Sequence, residues 1–130
     1  MSAERNAALG REIFRCFAEA DPMALRDLFA DDAVWRVPGR STVAGTYRGR
    51  TEIFRFLSSL KRRTGGTYTS RIVDALGSAE RAAVLYRASG TRNGITLDID
   101  QVLLFTVRGG KVVEVTALPS DPDAFERFWS

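Results

Sequence analysis

Residues 93–118 read NGITLDIDQVLLFTVRGGKVVEVTAL, and the punctuation of this stretch decides the fold. Asn93-Gly94 and Gly109-Gly110 are tight hairpin signals, because both central residues of such a turn need a positive φ. Between and beyond them lie two strands, over 95–108 and 111–118. Alternation puts Leu97, Ile99, Gln101, Leu103, Phe105 and Val107 on one side of the first strand, and Asp98, Asp100, Val102, Leu104 and Thr106 on the other. On the second strand the same period groups Val113, Val115 and Ala117 against Val112, Glu114, Thr116 and Leu118. One side is almost wholly apolar and one is mixed, as in a sheet with one face on a core.

Working outward, residues 67–76 and 80–92 extend the meander, with Val84, Tyr86, Ala88 and Gly90 on the apolar side. Ala33–Val37 reads as a further strand ended by Pro38-Gly39, which makes five. Residues 4–20 form a helix whose apolar stripe is Leu9, Ile13, Phe17 and Ala20. Asp21-Pro22 is an N-cap followed by proline at the first helical position, opening a second helix over 22–30. A third helix runs over 50–63, with Lys61, Arg62 and Arg63 favourably placed at its C-terminus. Asp121-Pro122 repeats the cap and opens a short last helix ending in Phe128-Trp129. The expected fold is α+β: a cone-shaped, strongly curved mixed sheet packed on three N-terminal helices, with a short C-terminal helix, all in one domain over residues 1–130.

Composition excludes several classes. The chain has 130 residues, 27% charged, with a net charge of +3. Its arginines are interleaved with 16 acids, so a concentrated nucleic-acid face is not expected. No apolar run suits a membrane span, and the polar N-terminus does not read as a signal peptide. Cys16 is the only cysteine, which suits a reducing cytoplasm. There is no histidine. That removes the commonest general base and the commonest transition-metal ligand, and no metal or other cofactor is expected.

The apolar side of the sheet, together with Phe14, Phe17, Trp35, Val37 and Phe54, either fills a core or lines a cavity. Ala88, Gly90 and Ala117 would leave room in such a cavity. Gln101 is the one clear polar residue in an inward series. A buried amide needs partners: Tyr86 or a backbone group, or a ligand carbonyl. Tyr86 and Tyr68 offer hydroxyls and Trp35 one donor. Cys16 has no base beside it and reads as inert packing. Residues 38–49, rich in glycine and arginine, read as a loop crossing the cavity entrance, with Arg40, Arg48 and Arg50 on or near its rim and Arg36 facing outward. Phe128 and Trp129 either close the mouth or staple the last helix down. The mixed outer face suggests a homodimer contact, with Arg87 able to pair with Asp98, Asp100 or Glu114.

The segments LFADDAVWRVPG at 28–39, GTYRGRTEI at 45–53 and GGKVVEV at 109–115 resemble the nuclear transport factor 2-like superfamily, and within it the SnoaL-like proteins and the relatives of ketosteroid isomerase. The resemblance covers nearly the whole chain. It implies a cone-shaped cavity beneath the sheet and, commonly, a dimer through the sheet's outer face. It also implies where catalysis would sit. The isomerase's carboxylate base falls at Val37, its helix tyrosine at Ile13 and its carboxylic acid at Leu103; SnoaL-type cyclases use that last position too. All three are aliphatic here, so ordinary isomerase or cyclase chemistry is not expected. The Asp-Arg-Asp arrangement of limonene-epoxide hydrolases is not met by Asp98 and Asp100, which alternate outward.

The resulting expectation is a pocket for a small hydrophobic, oxygenated molecule of polyketide or terpenoid type. Its lining would be Phe14, Phe17, Trp35, Val37, Phe54, Tyr68, Tyr86, Gln101, Leu103, Phe105 and Val115, with catalytic residues unassigned. An enzyme built this way would be an isomerase, cyclase or hydrolase working without metal. The rival is a ligand-binding or interaction domain with no turnover.

Overall fold

The computed structural model describes residues 2–130. Its order is α1 (Ala3–Glu19), α2 (Pro22–Asp27), β1 (Phe29–Val37), β2 (Gly45–Arg48), α3 (Gly49–Arg63), β3 (Thr69–Gly77), β4 (Arg81–Arg92), β5 (Ile95–Arg108), β6 (Lys111–Pro119) and α4 (Pro122–Trp129). One six-stranded sheet runs β2-β1-β6-β5-β4-β3. It is mixed: β1 pairs parallel with β6, and every other pair is antiparallel. The sheet curves around α1 and α3, giving the cone-shaped α+β fold.

The punctuation residues act as their chemistry requires. Asn93 and Gly94 have φ of 51° and 78°, and Gly109 and Gly110 have 61° and 77°, the left-handed pair that matches strand twist in a two-residue hairpin. Asp21 and Asp121 each cap their helix by accepting from the amide of Ala24 and Ala124 at 3.1 Å. Helix α1 rests on β3 and β4 along a line slightly rotated from the expected stripe: Asn6, Gly10, Ile13, Phe14 and Cys16 are buried, while Ala20 is exposed. Glycines permit this close seat. A Cβ on Gly10 would lie 2.7 Å from Val84 Cγ2, and one on Gly77 would lie 1.9 Å from the Ala3 carbonyl oxygen.

Four expectations are corrected. Helix α2 ends at Asp27 rather than Ala30, because Phe29 already belongs to the sheet, pairing with Val112 and fully buried. The segment after Pro38 is not all loop: Gly45–Arg48 forms a sixth strand antiparallel to β1. Strict alternation fails on β6, where Val112 is inward and fully buried while Val113 is only half-buried. A bulge is the cause. Thr106 pairs with Glu114 but Val107 with Val112, so Val113 is the extra residue that flips the parity. Finally, Gly90 does not leave open space; a Cβ there would meet the Tyr68 Cα at 3.1 Å. The glycine lets the Tyr68 backbone cross the sheet closely.

The outer face follows the expected pattern. Arg87 donates to Asp98 at 2.8 Å and to Asp100 at 3.1 Å. Glu114 instead pairs with the outward Arg36 at 2.8 Å. Both Asp98 and Asp100 are exposed, which removes them from any interior chemistry. No helix among the described residues is long and apolar enough to cross a membrane.

Candidate ligand-binding site

The space between α1, α3 and the sheet is hollow. An outer chamber of about 390 Å³ is walled by Phe17, Trp35, Leu57, Leu60, Tyr68, Tyr86 and Leu103. Exposed Ala18, Lys61 and Thr69 also border it and so mark its mouth. A deeper chamber of about 40 Å³ shares Trp35, Leu60, Tyr68, Tyr86 and Leu103 and adds Val37, Val43, Phe56, Gln101, Ala117, Phe125 and Trp129.

Each polar group is positioned by a local device. Tyr68 begins the return from α3 to β3, where Thr64 Oγ1 accepts its amide at 3.1 Å and itself donates to the Leu60 carbonyl at 2.9 Å. Tyr86 and Gln101 are cross-strand partners on β4 and β5, and Gln101 Nε2 donates to the Tyr86 hydroxyl at 2.6 Å. Trp35 stacks on Phe29 at 6.3 Å between ring centres. Burial pushes the Tyr86 phenol well above its usual range, and the neighbouring Tyr68 adds to the shift. Burial likewise raises Tyr68, against the opposing influence of Ser70 and Tyr86. Both phenols therefore stay protonated and neutral through the physiological range.

Two buried atoms on the cavity-lining residues are left over. Trp35 Nε1 and Gln101 Oε1 have no hydrogen-bond partner, although both residues are only 3% exposed. One is a donor and the other an acceptor, and both residues wall the deep chamber. An orphaned buried polar group costs about 1–3 kcal/mol. A chamber with two of them is chemically complementary to an oxygen-bearing molecule or to water.

Of the expected lining residues, Phe17, Trp35, Tyr68, Tyr86 and Leu103 border the outer chamber, and Val37 and Gln101 the deeper one. Phe14, Phe54, Phe105 and Val115 border neither. Phe14 is buried with its ring 4.9 Å from that of Tyr86, Phe54 packs edge-on to Phe29, and Phe105 and Val115 are cross-strand partners in solid core. The 38–49 segment does not cross the mouth. Val43 plugs the deep end, tied by the Tyr47 hydroxyl donating to its carbonyl at 2.7 Å. Arg40 holds the loop to α4, its amide donating to Glu126 Oε1 at 2.7 Å. Arg48 and Arg50 border a separate polar hollow with Asp31 and Glu52, and Arg50 pairs with Asp31. Trp129 closes the narrow end rather than the mouth, and Phe128 is fully buried core. Cys16 is 1% exposed, and burial raises its thiol. The three positions where the resemblance puts catalysis are dispersed: Val37 lies deep, Leu103 borders both chambers and Ile13 is solid core.

Missed by sequence reasoning were, among others, Val43, Phe56 and Phe125 at the deep end and Leu57, Leu60 and Lys61 on α3. The spacing of the last three was available, since i, i+3 and i+4 share one helix face, but Lys61 reads equally well as a helix C-terminal cation. Among the described residues no cluster of histidine, cysteine, aspartate or glutamate is placed to hold a metal.

The sequence model of the SnoaL-like domain family matches residues 11–115. The chain belongs to this family. Solved structures described as nuclear transport factor 2-like proteins, from Burkholderia pseudomallei and Burkholderia xenovorans, share its fold with TM-scores of 0.84 and 0.76. The SnoaL-like chain superposes on Bal32a, from a soil-derived mobile gene cassette, with a TM-score of 0.94 at 32% identity, covering 98% of each chain. It shares its fold with TerC, co-crystallized with polyporic acid, at a TM-score of 0.81 and 22% identity over 95% of this chain and 97% of that one. An uncharacterized protein of Mycobacterium tuberculosis strain H37Rv is 31% identical over 131 residues, covering the whole of both chains.

Proposed function

We propose that this SnoaL-like domain binds a small, mainly apolar, oxygen-bearing molecule in the cavity, without a carboxylate-driven reaction. The observation that carries the reading is the pair of orphaned atoms, Trp35 Nε1 and Gln101 Oε1, on two residues that wall the deep end of a mainly apolar hollow. The volume, about 390 Å³, falls toward the small end of ligand pockets, which run from about 300 to 1,000 Å³. Proton transfer at carbon needs a base of tuned pKa in reach of the substrate. Among the described residues, no aspartate, glutamate, histidine or cysteine lines either chamber. Binding is therefore better supported than isomerisation or cyclisation; turnover, where it occurs, would have to use shape, the Tyr86 hydroxyl and the Gln101 amide. A free, buried Cys16 supports a reducing, cytoplasmic setting.

Calorimetric titration with 2-naphthol and with naphthalene tests the reading. The wild type is expected to bind both, with 2-naphthol the tighter. Gln101→Leu should weaken 2-naphthol roughly three- to tenfold, as for one net hydrogen bond, and leave naphthalene unchanged. Absence of binding by either probe, or an unchanged 2-naphthol affinity in Gln101→Leu, sinks it.

The partner we propose is a second copy, docked through the outer face of the sheet. Leu118 is 44% exposed there, and Val102 and Leu104 lie half-buried among the ion pairs of Arg87 and Arg36. Leu104→Glu would put a charge in the middle of that contact. Light scattering should then give a monomer mass where the wild type gives twice that; a wild-type monomer defeats the proposal.

A further inference from the structure

Accepting the cavity as a ligand site, we infer that its ligand is an organic anion, bound with its acidic group at the mouth and a neutral oxygen at the deep end. The inference rests on the charge pattern of the walls. Among the described residues lining the two chambers, Lys61 is the one with a charged side chain; Tyr68 and Tyr86, both raised, are neutral.

Helix geometry aims the lysine. Leu57 and Leu60 wall the outer chamber, and Lys61 stands one turn beyond Leu57 on the same face of α3. A lysine so placed can lay its methylene stem on apolar wall and keep its ammonium at the exposed rim. Among the described residues Lys61 enters no salt bridge, so its charge is not already committed to a carboxylate. Arg62 and Arg63 follow it in the last turn and offset the partial negative charge of the helix end, which would otherwise disfavour an anion there.

The two ends thus ask for different chemistry. The mouth offers a single cation beside the exposed Thr69. The deep end, a space of about 40 Å³, is walled by Trp35 and Gln101, whose Nε1 and Oε1 are a neutral donor and a neutral acceptor without partners. Burying an ionised group in that chamber, with no cation lining it, would be heavily penalised. A carboxylate or acidic enol at the rim, an apolar and flat middle, and a carbonyl or hydroxyl inside satisfy all three zones. A neutral terpenoid or steroid would leave Lys61 unused.

The matched probes are 2-naphthoate and 2-naphthamide, which share shape and differ in charge. In calorimetry at low salt the wild type is expected to prefer the carboxylate about fivefold, the upper range for a solvent-accessible ion pair. The preference should vanish in Lys61→Met, persist in Lys61→Arg, and fade at about 0.5 M salt as screening shortens to a few ångströms. Equal binding of the two probes by the wild type, or a preference that survives in Lys61→Met, overturns the inference while the pocket itself stands. If neither probe binds the wild type, the cavity reading falls and takes this inference with it.

Discussion

Trp129→Ala is expected to lower the unfolding free energy by about 3–5 kcal/mol, the usual cost of truncating a buried aromatic to alanine. Trp129 is 1% exposed. Its ring meets Phe128 edge-on at 4.8 Å and Tyr68 at 5.6 Å, and it forms the floor of the deep chamber. The last helix has eight residues, too short to persist without docking. What docks it is the buried set Phe125, Phe128 and Trp129, helped by three hydrogen-bonded clasps. The Trp129 carbonyl accepts from Thr42 N at 3.0 Å and Thr42 Oγ1 at 2.5 Å. Arg92 donates to the Phe128 carbonyl at 3.1 Å. Glu126 holds the Arg40 amide. Losing the indole weakens the seat on which all of these depend, so loop 38–43 should loosen with the helix. Urea unfolding followed by far-ultraviolet circular dichroism measures the loss, and in a thermal melt the midpoint temperature should fall by roughly 10–15 °C. A loss below about 1 kcal/mol, well under the usual cost, would mean that the helix is only loosely seated and that the chamber has no fixed floor.

Much of the architecture was legible because local chemistry and global fold agree. Asn93-Gly94 and Gly109-Gly110 can serve few purposes other than tight hairpins, and Asp-Pro twice marks a helix start. Alternation along β4 and β5 put the right side chains inward because those strands carry no bulge. It failed on β6 for the reason that parity arguments generally fail: the extra residue Val113 resets the period, and Val-Val-Glu-Val gives no sign of which valine turns in. The sixth strand escaped because Gly45–Arg48 has four residues with no alternation; it exists by pairing with β1, a tertiary cause.

The site was half legible for a similar reason. Facing positions on a sheet follow a period of two, so Tyr86, Gln101 and Leu103 could be grouped from sequence. Which of the inward aromatics fill space and which border it depends on how α1 and α3 lie across the sheet. Phe14 and Phe17 are three residues apart and pack against each other, yet only Phe17 borders a chamber. The placement of the mouth was equally a matter of packing. It opens beside Lys61, between α3 and β3, while Arg50 is held elsewhere by Asp31 and the Arg40 amide by the last helix.

Leu103→Asp should convert the interior into a pH sensor. Leu103 is 3% exposed, borders both chambers, and faces Val84 and Ala117 across the neighbouring strands. A carboxyl there finds Gln101, Trp35 and Tyr86 nearby, all neutral. Lys61, on the outer chamber that Leu103 also borders, lies at the exposed mouth, and no cation lines the deep chamber, so desolvation dominates and the folded-state pKa rises, by about 3 units in comparably buried sites. The sign follows from proton binding. An unfolded aspartate titrates near 3.9; below that both states are protonated, and the variant suffers only the lost packing of leucine. As pH rises the unfolded state releases its proton first, so stability falls by about 1.4 kcal/mol per pH unit until the folded carboxyl also ionises. With a 3-unit shift the added destabilisation is about 4 kcal/mol at pH 7 and close to nothing at pH 4. Leu103→Asn is the control, since it loses the same packing and does not titrate. Urea midpoints of the two variants should converge near pH 4 and separate steadily toward pH 7. Parallel curves would mean that an ionised carboxylate is comfortable at this position. The interior would then be wet or charge-compensated, and the lack of acids along its walls would no longer argue against proton-transfer chemistry there.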